Sequence, residues 1–153
     1  MPAYGGSESF SGAGSILAIN NSLTSTPAYV TIGECTKANL TGRTAKTSDV
    51  TSFSSGKVSE FIAVMTDSGS IDLSCNYVSS DAGQIQLQAS FNALAKTLFK
   101  LTLPLAPNQT TTPDSYSFSA LVTDFSFDVG TEKQIEITSK LKISGLLNFS
   151  AGA

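Results

Sequence analysis

Between residues 114 and 148 the chain carries two long runs in which polar and apolar positions alternate, joined at Val129-Gly130-Thr131. In the first, Tyr116, Phe118, Ala120 and Val122 alternate with Ser115, Ser117 and Ser119, the period of two that marks a half-buried strand. Past Thr123 the apolar phase passes to Phe125, Phe127 and Val129, a one-residue slip that predicts a β-bulge near Thr123-Asp124. The second run keeps one phase, with Ile135, Ile137, Leu141, Ile143 and Leu147 set against Glu136, Thr138, Lys140, Lys142 and Ser144. Both runs exceed the usual strand of about five or six residues. Strands of this reach suit a sheet that continues beyond one subunit, because an exposed edge is a liability unless it is paired.

Shorter patterns fill the rest of the chain. Residues 1–14, rich in Gly and Ser, predict a flexible N-terminal arm, and residues 15–153 a single β domain. Residues 15–19 and 28–34 read as two strands joined by turn formers ending at Pro27. Residues 35–59 are polar and almost without period, which predicts a long loop inserted in the domain; loops of more than about 15 residues tend to be functional. Residues 61–65 read as a strand, and so do residues 70–78, where Ile71, Leu73, Cys75 and Tyr77 oppose Ser70, Asp72, Ser74 and Asn76. Asp81-Ala82-Gly83-Gln84 has the form of a capping box. The helix it starts places Leu87, Phe91, Leu94, Ala95 and Leu98 on one face. Phe99, Leu101, Leu103 and Leu105 then return to period two. The expected fold is mainly β, an antiparallel β-sandwich or half-barrel with one flanking α-helix and a long polar loop.

Composition narrows the function. At 153 residues the chain is most simply one domain. Charged residues make up only 14%, against roughly 25% in ordinary soluble domains, so Ser and Thr must cover much of the surface. A surface poor in charge and rich in hydroxyls suits extensive subunit contact, and on composition alone it suits a secreted β-domain equally. The net charge is −3 and the lysines are scattered, which leaves no basic footprint for nucleic acid. Of the two cysteines, Cys75 falls on an apolar phase and reads as a buried, inert thiol; no redox motif is present.

The chain has no histidine, which removes the commonest general base, the commonest metal ligand and every Ser-His or Cys-His pair. The carboxylate pairs Asp67 with Asp72 and Asp124 with Asp128 are better explained by a turn and by polar strand faces than by acid–base work. No phosphate loop, zinc spacing or calcium loop occurs, so no catalytic, cofactor-binding or metal-binding residue is expected. The longest notable apolar run, residues 61–65, is too short to span a membrane, and no membrane anchor is expected. A monomeric adhesive or carbohydrate-binding β domain would need exposed aromatics, and this chain lacks Trp.

Taken in order, several short motifs resemble the tail tube, or major tail, proteins of long-tailed, lambda-like bacteriophages, a family related to the type VI secretion tube protein. Gly14-Ser15-Ile16-Leu17-Ala18-Ile19 and Tyr29-Val30-Thr31-Ile32-Gly33-Glu34 are similar to the first two strands. Asp49-Val50-Thr51-Ser52 resembles the acidic-Val-Thr motif, Ser59-Glu60-Phe61-Ile62 the segment after it, and Asp67-Ser68-Gly69-Ser70-Ile71 the Asp-x-Gly turn into a strand, the most specific of the matches. Phe118-Ser119-Ala120-Leu121-Val122-Thr123 and Lys142-Ile143-Ser144-Gly145 resemble the closing strands. Ala63-Val64 departs from the usual Gly-Leu.

The resemblance implies a structural protein without enzymatic activity. Hexameric rings would stack into a β-lined tube, with a tape measure protein and tail-tip or terminator proteins as partners. Double-stranded DNA would pass through the lumen without specific binding, in the virion of a phage assembled in the bacterial cytoplasm. A contractile-tail or type VI-like tube is the alternative. The expected subunit and ring contacts are Phe10, Leu40, Thr41, Arg43, Asp49, Val50, Thr51 and Ser52. Asp72 and Glu136 are expected to face the lumen, where negative charge would let DNA slide.

Overall fold

The structure is a computed structural model and describes residues 11–21 and 26–153. Among the described residues, ten strands and one α-helix follow in the order β1 (Ile16–Asn20), β2 (Tyr29–Thr31), β3 (Cys35–Thr41), β4 (Thr44–Asp49), β5 (Phe61–Asp67), β6 (Ser70–Asn76), α1 (Ala82–Ala93), β7 (Thr97–Thr102), β8 (Ser115–Asp128), β9 (Glu136–Ile143) and β10 (Asn148–Ser150). Eight strands form one antiparallel sheet in the order β2-β1-β7-β8-β9-β6-β3, with β10 also paired to β8. β4 and β5 form a separate two-stranded sheet.

The 14 residues of β8 hold the two halves of the large sheet together. Its first half pairs with β7 on one side and β10 on the other, and its second half pairs with β9. The expected bulge is present, as a register shift between Val122 and Asp124. It lets Phe118, Ala120 and Val122 face the core and then turns Phe125 toward it in the opposite phase. The sheet folds round a core drawn from both halves: Leu17, Ile19, Phe99 and Phe118 meet Ile71, Leu73, Cys75, Leu141 and Ile143. Phe99 and Phe118 are register partners whose stacked rings lie 5.7 Å apart.

Helix α1 packs on β8, β1 and β2 and inserts Leu87 into that core. Asp81 is its N-cap and accepts a hydrogen bond from the Gln84 backbone N–H at 2.9 Å. The reciprocal half of the expected capping box is absent. The Gln84 side chain crosses away from the helix instead, accepting from the Val78 N–H and donating to the Gly33 and Asn76 carbonyls, all at 2.8–2.9 Å. Asp81 also accepts from the Gly33 N–H, so the helix N-terminus is bolted to the chain between β2 and β3. Gly83 permits this approach, since a Cβ there would stand 2.3 Å from the Thr31 carbonyl oxygen.

The helix is shorter than its apolar spacing suggests. It ends at Ala93, Leu94 adopts a left-handed cap at φ 53° and is exposed, and Leu98 belongs to β7. The largest departure is residues 35–59, expected as a long loop. They contain β3, which pairs with β6 along its whole length, β4, which pairs with β5, and a 3-10 turn, Phe53–Ser55.

Candidate assembly surface

β4, β5 and the turn between them form an arm that stands off the body. Every residue of both strands is exposed. The register, Lys46 to Met65, Thr47 to Ala63, Ser48 to Ile62 and Asp49 to Phe61, makes Val64 an extra residue in a bulge and places Phe61 and Ala63 on one face of the hairpin and Ile62 and Met65 on the other. Phe61, Ile62, Val64 and Met65 are 51–64% exposed, and Val58 and the tip residue Phe53 are exposed still further. A lone two-stranded hairpin is at best marginally stable in water, and contiguous apolar surface of this kind marks an interaction site. The arm therefore has the chemistry of a strand pair that another surface covers.

Local hydrogen bonds shape its ends. At the tip, Asp49 accepts from the Thr51 N–H at 2.9 Å, the Thr51 hydroxyl accepts from the Glu60 N–H at 2.8 Å, and the Ser55 hydroxyl donates to Glu60. The Thr51 hydroxyl and then its backbone N–H hold the Asp49 carboxyl below its ordinary value. At the root, Asp67-Ser68-Gly69 turns the chain from β5 into β6. Asp67 accepts from the Gly69 N–H at 2.8 Å and pairs with Lys142 at 2.9 Å, and these two groups, Gly69 first, lower its pKa.

The residues expected at subunit contacts do not form one cluster. Thr41 ends β3 and Arg43 is exposed at the root of the arm, whereas Asp49, Val50, Thr51 and Ser52 lie at its far end. Leu40 opposes Ile71 and packs against the core, so its side chain is directed inward. Phe10 lies outside the described residues. The sequence reading missed the arm's own apolar side chains, Phe53, Val58, Phe61, Ile62, Val64 and Met65. The available signal was an apolar run, residues 61–65, with no alternation and only a polar segment to pair with.

Asp72 and Glu136 share the outward, polar face of the β3-β6-β9-β8 half. Across it run two rows, Asn39–Asp72–Lys140–Asp124 and Asn76–Glu136–Asp128. Asp72 lies 3.9 Å from the Lys140 ammonium, and Lys37 and Lys142 also stand on this face, so it is of mixed charge. Among the described residues no cluster of three or more metal-ligating side chains occurs, and no helix is long and apolar enough to cross a membrane.

No family model matches the chain, and no curated protein does. Solved structures do. The chain is similar to that of the SPP1 tail tube over 90% of its own length and 77% of the other, at TM-score 0.65 and 13% identity. It is similar to a chain from the tail of an empty GTA particle over 88% and 96%, at TM-score 0.63 and 20% identity. A chain from the sheath–tube complex of PVC, an extracellular contractile injection system, matches over 90% and 88%, at TM-score 0.62 and 13% identity. At these identities the likeness is one of fold, and across nearly its whole length this chain has the fold of chains from phage-like tail tubes and contractile injection tubes.

Proposed function

We propose that this chain is the repeating structural subunit of a tail tube, forming hexameric rings that stack into a conduit for DNA ejection. The observation that carries the reading is the β4–β5 arm, whose two apolar faces have no cover among the described residues. A neighbouring copy is the simplest cover, because a repeating assembly supplies the same complementary surface to every arm. The fold likeness supports it, and the similar GTA tail carries C6 symmetry. In this reading the outward polar face of β3-β6-β9-β8, with Asp72 and Glu136, lines the lumen, where hydroxyls and a small excess of carboxylates give duplex DNA nothing to grip. A tape measure protein and a terminator are the accompanying partners, and the virion tail is the location. A long-tailed phage and a sheathed contractile system would use the same subunit, and co-purification of a sheath protein would distinguish them.

Light-scattering mass at rising protein concentration tests the reading. The wild type should grow from the 15.9 kDa chain into assemblies whose mass rises with concentration. Ile62→Asp/Val64→Asp, which puts charge on exposed arm positions, should remain monomeric with an unchanged circular dichroism spectrum. A variant that assembles as the wild type does would remove the arm from the account.

A further inference from the structure

Cys35 and Cys75 stand directly opposite each other where β3 pairs with β6, and their Sγ atoms are 2.6 Å apart. Opposed residues of an antiparallel pair have Cα atoms about 4.5–5.5 Å apart, inside the window of about 4.4–6.8 Å that a disulfide requires. Cys75 is buried in the core. Cys35 is partly exposed and lines a groove of about 630 Å³ with Gly12, Ser15, Thr36 and Leu101, so small reagents reach the pair through Cys35. The setting gives the pair a purpose. β3 is the edge of the large sheet and leads through Gly42 into the arm, while β6 follows directly from it.

We infer that Cys35 and Cys75 are a site of oxidative modification, closing a disulfide that clips the edge strand β3 to β6 and encloses the whole arm in one covalent loop. The oxidant is a low-molecular-weight disulfide such as oxidised glutathione. The Cys35 thiolate attacks one of its sulfurs and releases the first glutathione thiolate; the Cys75 thiolate then attacks the Cys35 sulfur of the mixed disulfide and releases the second. Two electrons pass from the protein to glutathione, and the two thiol protons end on the two released thiols. The neighbouring Cys35 thiol and burial push the Cys75 thiol up, so closure accelerates as the pH is raised.

The test uses the full chain incubated with excess oxidised glutathione, quenched in acid, denatured, alkylated and weighed. The expected product has no alkylated cysteine, a mass lower by two hydrogens, and a Tm raised by roughly 10 °C that dithiothreitol reverses. Cys35→Ser treated in the same way should show no such rise. Two alkylatable thiols after oxidation, a stable glutathione adduct, disulfide-linked dimers, or a closed disulfide with unchanged Tm would each overturn the inference.

Discussion

Gly69 shows how one residue fixes where the arm leaves the body. Its φ is +87°, and a Cβ on it would meet the Thr41 carbonyl oxygen at 2.2 Å and the Arg43 nitrogen at 3.0 Å. Left-handed backbone and close approach thus both select glycine. Asp67 caps the same turn, and the Ser68 hydroxyl reaches the Gly145 carbonyl at 2.6 Å. Gly69→Ala should cost about 2–3 kcal/mol and lower Tm by roughly 4–12 °C in thermal unfolding; a change below about 0.5 kcal/mol would show that the turn relaxes freely. This turn was legible in the sequence because its chemistry is local: Asp, a spacer and Gly announce it. The role of Gln84 was half legible. The N-cap partnership of Asp81 with the Gln84 N–H is local, but the Gln84 side chain serves Gly33 and Asn76, and no spacing along the chain encodes that pairing.

The same divide runs through the elements. The bulge in β8 was readable because a change of apolar phase must be answered by an extra residue, and Val122/Asp124 answers it. β3 was not read as a strand, although its register sets Ala38 and Leu40 opposite the core residues Leu73 and Ile71, with Ala38 itself exposed, while Lys37, Asn39 and Thr41 take the other phase. Alanine is a weak marker, and the inward phase is only a few residues long. β4 could not be read at all, since neither of its faces is buried and period two has no cause where nothing is covered. In α1 the apolar spacing ran on past the helix, because Leu98 satisfies the strand that follows. The arm's exposure has a dynamic consequence. With every residue of β4 and β5 exposed and no core behind them, their amides should exchange with deuterium much faster than those of β8 and β9 in the dispersed chain. On assembly they should become protected. Arm amides as slow as those of β8 in the monomer would mean the arm is already covered.

For the whole molecule, fold class was legible, as mainly antiparallel β with one flanking helix, because alternation and one capped helix leave few architectures. The candidate surface was legible only in part. Asp49 to Ser52 mark the arm's tip, while the apolar faces of Phe61–Asp67 looked like an ordinary core strand. Nothing among the described residues covers them, and hydrophobic pattern alone assigns them inward. Exposed apolar strands on a body with a well-filled core are what a subunit would display before assembly if copies of this chain cover one another's arms in a hollow tube. Negative-stain electron microscopy of the purified wild type beside Ile62→Asp/Val64→Asp, at low and high concentration, tests it most directly. Hollow rings or tubes are expected from the wild type and none from the variant; dispersed monomers from the wild type at every concentration, or identical tubes from both, would show that the arms are not covered in this way.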